Sequence, residues 1–251
     1  MKEFHLFYAP DIATTRMLPP DESAHAVRVL RLREGDALVC TDGQGRLYDC
    51  TVGEASQKHT YINIIRTREE APLWEGSIEV AVAPTKSMDR MEWFAEKATE
   101  IGVDAITFLD CRNSERRVVK TERVERILVS AMKQSHKARL PRLQGMTRFE
   151  EFLRQPFDGQ RFICHCYEGQ DEGLPIEKAF LGDIIEKTGR ARVLIGPEGD
   201  FSIDEVKLAL SNGYQQVTLG DSRLRTETAA LAATHIMYLA KRTVKRPAEN
   251  N

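Results

Sequence analysis

A chain of 251 residues is long enough for one or two domains with a sizeable core, and two is the expected organisation. With 36 Lys and Arg against 38 Asp and Glu the net charge is −2, which excludes binding to a polyanion through average charge and leaves local clustering to do it. No run approaches the ~18 apolar residues of a membrane span. No basic flank with an apolar core opens the chain, and five cysteines without framework spacing fit a reduced compartment, so a cytoplasmic protein with no membrane partner is expected.

Short β-like segments come first, at 4–8, 37–40, 47–52 and 61–65. Asp42-Gly43-Gln44-Gly45 is the clearest hairpin signal between them, and Arg33-Glu34-Gly35-Asp36 is a second turn. One helical piece, 22 to about 31, puts Ala26, Val27 and Leu30 on one face. Several short strands in so few residues suggest a small β-barrel, residues 1–70, and the charged, proline-containing Glu69-Glu70-Ala71-Pro72 reads as a linker to a second domain at 73–251.

The rhythm then changes to strands alternating with amphipathic helices. Strands are expected at 78–83, 105–109, 161–166, 193–195 and 217–219. The first helix, 88–101, carries Met91, Phe94, Ala95, Ala98 and Ile101 at the spacing of a buried face. This pattern predicts βαβ units and a parallel sheet. After Ile195, Gly196-Pro197-Glu198-Gly199-Asp200 ends the strand abruptly, Ser202 with Glu205 forms a capping box, and Gly213 is placed to stop the helix. After Leu219, Gly220 opens a second tight loop that leads into an Ala- and Leu-rich helix reaching about 239. Both loops leave the carboxyl edge of the sheet, where open α/β folds bind ligands. The polar tail 245–251 is expected to fray.

Charge clusters in one place. Residues 112–148 hold eleven Lys and Arg against three Glu. Thr121 can cap a helix reaching to about 136 whose Val124, Ile127, Leu128 and Ala131 form an apolar stripe, with Arg123, Arg126, Lys133 and Lys137 on another face. Arg116-Arg117 before it and Arg139 and Arg142 after it extend the patch. It is either a solvated face or a phosphate-binding surface, and the extension favours the second.

Gly196-Pro197-Glu198-Gly199 lacks the spacing of a dinucleotide fingerprint and carries an acid where a phosphate would sit, so a ligand there should be neutral or cationic near Glu198. Cys164-His165-Cys166 resembles a metal fragment, but successive strand residues point to opposite faces and no second cysteine pair stands at zinc spacing, so no metal is expected. His235, among Ala, Ile and Met, reads as a core residue, and no Ser-His-Asp constellation with motif context is present.

The strings Leu194-Ile195-Gly196-Pro197-Glu198-Gly199, Leu219-Gly220 and Leu224-Arg225-Thr226-Glu227-Thr228-Ala229 together closely resemble the C-terminal signature of the bacterial 16S rRNA uridine-N3 methyltransferases of the SPOUT superfamily. The resemblance covers nearly the whole chain. Residues 25–36, with a His-x-x-x-Val-Leu-Arg-Leu core, look like the family's PUA-like RNA-binding domain; Lys86, Arg90, Lys97, Glu100 and Gly102 match its first-helix signature, and Gln134-Ser135 with Pro141 the segment after the basic helix.

The resemblance implies an α/β fold with a trefoil-knotted methyltransferase domain behind the barrel, a homodimer, and S-adenosylmethionine bound by the glycine loops at Leu194, Gly196, Gly199, Leu219, Gly220 and Leu224. It implies methyl transfer to N3 of a uridine in 16S rRNA or the small ribosomal subunit, with Lys86, Arg90, Arg116, Arg117, Arg126, Lys133, Lys137 and Arg139 as the RNA-facing cations. Arg225 is the first candidate to stabilise uridinate charge, while Glu198 and Glu227 orient groups or accept the proton; a purely structural Arg225–Glu227 salt bridge is the competing reading. Another base, a ribose 2'-hydroxyl, or non-catalytic rRNA binding during ribosome assembly are the alternative functions. Asp200 departs from the second glycine many relatives carry, and Lys133 and Lys137 stand where Glu and Arg are expected.

Overall fold

The computed structural model describes residues 5–167, 173–174 and 177–242, so the tail at 245–251 and Phe4 of the first expected strand lie outside the described residues. The chain divides into two compact units, one running to Pro72 and including Leu128–Leu140, the other holding Leu73–Ile127 and the chain from Pro141.

In the first unit, β1 (Leu6–Tyr8), β2 (Met17–Leu18), β3 (Ala37–Thr41), β4 (Arg46–Glu54) and β5 (Thr60–Glu69) form one sheet in the order β1-β3-β4-β5-β2, with β1 and β3 parallel and the other pairs antiparallel. Inward residues Phe7, Leu38, Cys40, Tyr48, Cys50, Val52 and Ile62 build its core. Asp42 shapes the β3–β4 turn by accepting from the backbone N–H of Gln44 (2.8 Å) and Arg46 (3.2 Å). A short helix α1 (Ile12–Thr15) precedes β2. The single helix expected at 22–31 is instead α2 (Pro20–Ala24) running into a π-helical turn, His25–Val29, which still delivers Ala26 to the core.

The expected linker does not run free. Ala138 is buried beside Leu6 and Leu47, its N–H donates to Glu70 (3.1 Å), and its carbonyl accepts from Gly45 N–H (2.9 Å) and the Thr41 hydroxyl (3.1 Å). These bonds are why a segment far along the chain clusters with the first unit.

The second unit contains β6 (Ser77–Val82), α3 (Met88–Ile101), β7 (Ala105–Asp110), α4 (Thr121–Gln134, whose last turns fall in 128–140), β8 (Arg142–Arg148), α5 (Phe149–Leu153), β9 (Gln160–Cys164), β10 (Ala179–Phe180), α6 (Leu181–Ile184), β11 (Arg190–Ile195), α7 (Ile203–Ser211), β12 (Gln215–Thr218) and α8 (Thr226–Lys241). Its seven strands are all parallel, in the order β10-β12-β9-β11-β6-β7-β8. β8 had no sequence signal because it is an edge strand rich in polar residues and needs no two-sided apolar cover. Ala81, Ile163 and Leu194, cross-strand neighbours, face Phe149 and Phe152 of α5 and Val206 and Ala209 of α7. α8 packs on β6 and β11 beside α3. Among the described residues no helix is long and apolar enough to cross a membrane.

The chain path places the site. β11 sits mid-sheet, its loop feeds α7, β12 returns outside β9, and α8 then comes back over β11, so both glycine loops meet at one sheet edge. The Thr226 hydroxyl donates to the Gly196 carbonyl (3.2 Å) and ties the second loop to the first.

Candidate active site

A cleft of about 1110 Å³ opens at the carboxyl ends of β9, β11 and β12. Its walls are 164–167, 195–198 with Asp200, and 217–226. Of the residues expected to hold a cofactor, Gly196, Leu219, Gly220 and Leu224 line it, whereas Leu194 is fully buried in the apolar cluster below and Gly199 lies against Asn113. At Gly196 a Cβ would sit 3.0 Å from the Phe201 ring and 3.1 Å from its backbone nitrogen, a tight fit that any larger residue could make only by shifting Phe201. The following turn is held by the capping box at Ser202 and Glu205, both halves of which are formed.

Arg90, in the first turn of α3, points into the same cleft. Its Nη1 lies 3.6 Å from Glu198 on the first loop and 3.6 Å from Glu227 on α8. Glu198 also accepts from the Lys86 N–H (3.1 Å). Glu227 is 8 % exposed, does not line the cleft, and has one oxygen buried with no hydrogen-bond partner among the described residues. The expected alternative pairing of Glu227 with Arg225 is therefore replaced by Arg90: Arg225, the N-cap residue of α8, is exposed, lines the cleft, and forms no ion pair among the described residues. Arg90 was placed among RNA-facing cations by resemblance alone; nothing local in the sequence could reveal that two distant carboxylates flank it.

The third wall is less acidic and chemically quiet. β9 ends at Cys164, so the alternation argument does not extend over Cys164-His165-Cys166. Burial pushes the Cys164 thiol up to about 12, and burial with the Asp200 carboxylate raises Cys166, so both are protonated thiols at neutral pH. Burial, then the nearby Lys178 cation, lowers His165, and its Nε2 meets the Gln216 side-chain oxygen at 3.1 Å. Because Gln216 donates its amide N–H to the Glu177 carbonyl, its oxygen faces the imidazole, which makes Nε2 the protonated nitrogen. Among the described residues no group of three or more His, Cys, Asp and Glu could hold a metal ion. His235 is exposed and stacks on Tyr238, not in the core as expected, because the buried stripe of α8 runs through Ala230, Ala233, Thr234 and Met237.

The remaining cations are largely engaged within the chain. Arg116 donates to the carbonyls of Thr85 and Lys86, Arg117 pairs with Asp110, and exposed Lys86 lies 3.5 Å from Glu115. In the first unit Lys133 reaches Glu22 at 2.6 Å and Arg139 donates to the carbonyls of Gln44 and Glu70. Lys137 is half-buried, and Arg126 is exposed. The expectation that Lys133 faces outward is thus corrected: its ammonium also lies over the Phe7 ring.

The all-parallel α/β unit with its two glycine loops and the small five-stranded sheet, taken with the domains and solved structures they match, make this a SPOUT-type methyltransferase with a PUA domain. The chain belongs to the RNA methyltransferase family: the RNA methyltransferase domain matches residues 72–238 and the RNA methyltransferase PUA domain residues 18–65. It is 31 % identical to the ribosomal RNA small subunit methyltransferase E of Mycobacterium bovis, over 91 % of this chain and 88 % of that one. Among solved structures it is similar to a probable rRNA-methyltransferase from Porphyromonas gingivalis, with 41 % identity, a TM-score of 0.87, and coverage of 95 % of this chain and 98 % of that one. It is also similar to a ribosomal RNA small subunit methyltransferase E from Neisseria gonorrhoeae bound to S-adenosyl methionine, with 26 % identity, a TM-score of 0.80, and coverage of 94 % and 98 %.

Proposed function

We propose that this chain transfers a methyl group from S-adenosylmethionine to N3 of a uridine in small-subunit rRNA, in the cytoplasm. The observation that carries the reading is the convergence of Arg90, Arg225 and Glu198 on a cleft built from two glycine loops. The names of the similar proteins from Mycobacterium bovis and Neisseria gonorrhoeae support the RNA class and the cofactor. The cleft fits that cofactor: it has room for a nucleoside with an amino-acid arm, Leu219 and Gly220 in its wall, and a carboxylate, Glu198, that tolerates a sulfonium.

Bound S-adenosylmethionine supplies an electrophilic methyl group. The residues of this chain must then prepare N3, which carries a proton at neutral pH and lies on the pairing edge of the base. Arg225, exposed on the cleft wall, donates to a uracil carbonyl as charge develops, since a guanidinium does not itself deprotonate. Glu198, on the cleft wall, accepts or relays the proton. Glu227, behind the wall, orients Arg90. The exposed basic residues Arg126 and Lys86 contact RNA phosphates, and the chain works as a homodimer. The small residues Ala230 and Ala233 of α8 are used inside the chain, which leaves exposed Leu239 of α8 and Trp93 of α3 as apolar contacts for a second copy.

Mapping of rRNA from cells with and without the protein tests the reading. An N3 methyl blocks pairing, so reverse transcription should stop at one uridine only when the protein is present, and mass spectrometry should place the methyl on the base. Read-through with a methyl on the ribose would overturn N3 as the acceptor, and absence of S-adenosylmethionine binding by calorimetry would overturn the enzyme assignment.

A further inference from the structure

Asp200 is unusual twice over. Its backbone adopts φ 62°, the left-handed region that residues with a Cβ enter at a cost, and both oxygens of its carboxylate are taken by backbone donors. One accepts from the N–H of Phe201, the next residue (2.7 Å), and the other from the N–H of Cys166, on the far wall of the cleft (2.7 Å). The second bond answers a need of the fold. β9 stops at Cys164, so the Cys166 N–H has no ladder partner, and Asp200 supplies the acceptor.

Other bonds converge on the same junction. The Tyr167 hydroxyl donates to the Phe201 carbonyl (2.7 Å), the Lys178 ammonium donates to the carbonyls of His165 (2.7 Å) and Tyr167 (2.5 Å), and the Asp200 N–H closes a turn onto the Pro197 carbonyl (2.9 Å). Asp200, Cys166 and Tyr167 all line the cleft. Engaged at each oxygen by a backbone donor, the carboxylate holds one wall of the cleft to another.

We propose that Asp200 is a positioning residue for the cofactor: it latches the 165–167 wall to the first glycine loop and so keeps the cleft in its binding shape before the cofactor arrives. This rests on the reading that the cleft takes S-adenosylmethionine. A latch of this kind acts on binding more than on chemistry, because a preformed wall spares the cofactor the ordering of the loop. Glycine at this position would adopt φ 62° without strain but would lose both acceptors. Asparagine tolerates the same backbone and keeps one acceptor oxygen, while its NH₂ opposes the second N–H.

The test compares wild type, Asp200→Gly and Asp200→Asn in the full chain, by calorimetry with S-adenosylmethionine, steady-state methylation of rRNA, and hydrogen exchange at the Cys166 amide. The expected result for Asp200→Gly is a folded protein whose Cys166 amide has lost protection, with cofactor Kd and KM raised on the order of tenfold and kcat changed by less than about twofold. Asp200→Asn should fall between. A folded Asp200→Gly with wild-type cofactor affinity, or one that loses kcat with KM unchanged, overturns the proposal. Wild type that fails to bind S-adenosylmethionine removes the cofactor reading, and the proposal with it.

Discussion

Replacing Arg90 by Met removes the one cation paired with Glu227 among the described residues and leaves a carboxylate that is 11 % exposed at its side chain facing a hydrocarbon. At 3.6 Å each Coulomb attraction amounts to about 4–5 kcal/mol for an effective dielectric near 20. Much of that is not realised, because the Arg90 side chain is 38 % exposed and water screens it, so a net cost of about 1–2 kcal/mol is expected. Glu227→Gln in the same background should recover most of the loss, since the uncompensated charge is then gone. A double-mutant cycle in urea measures this as a coupling energy. Both tryptophans, Trp74 and Trp93, lie in the second unit, so their fluorescence follows that unit alone and avoids mixing two transitions. Additive effects, with a coupling below about 0.3 kcal/mol, would refute the pairing by which Glu227 orients Arg90.

Glu79 is buried against Arg142, Arg190 and Arg192. Burial, its strongest single influence, pushes its carboxyl up, but the arginine hydrogen bonds and charges together outweigh it and hold the group below its ordinary 4.5. Its contribution to stability is therefore complete above about pH 4.5 and lost as pH falls through the lowered value; Glu79→Gln should cost about 3 kcal/mol or more at pH 7 and flatten the acid limb of the stability profile, and an unchanged limb would contradict this. Arg225→Ala should fold normally and slow single-turnover methylation at least about a hundredfold; an unchanged rate removes Arg225 from the mechanism. Iodoacetamide at pH 8 should label Cys166 before any other thiol, because Cys40, Cys50 and Cys111 are buried and burial drives the Cys164 thiol to about 12. S-adenosylmethionine should slow that labelling, as peptide mapping would show, since Cys166 lines the cleft.

Much of the second unit was legible locally. The capping box at Ser202 and Glu205, the stop at Gly213 with φ 80°, and the bounds of α3 all follow from rules that act within one or two helical turns. The glycine loops could likewise be placed at strand ends, and the acid at Glu198 argued for a ligand that is not a phosphate. Less was legible where one face of an element is polar by necessity: edge strand β8 passed unnoticed, and a helix expected in one piece at 22–31 turned into α2 and a π turn.

What the sequence by itself determined, then, is the alternation of the longer buried strands and helices and the motifs that assign the family, because hydrophobic period, caps and turns are short-range properties. Only the tertiary structure decided which charges meet. Lys133 finds Glu22, Arg90 finds Glu198 and Glu227, and Asp200 finds the Cys166 amide, each across a long stretch of chain. Such pairings depend on strand order and on the return of α8 over β11, and no local pattern encodes either. For that reason Lys133 reads as a free surface cation and Arg90 as an RNA contact until the fold brings their partners beside them.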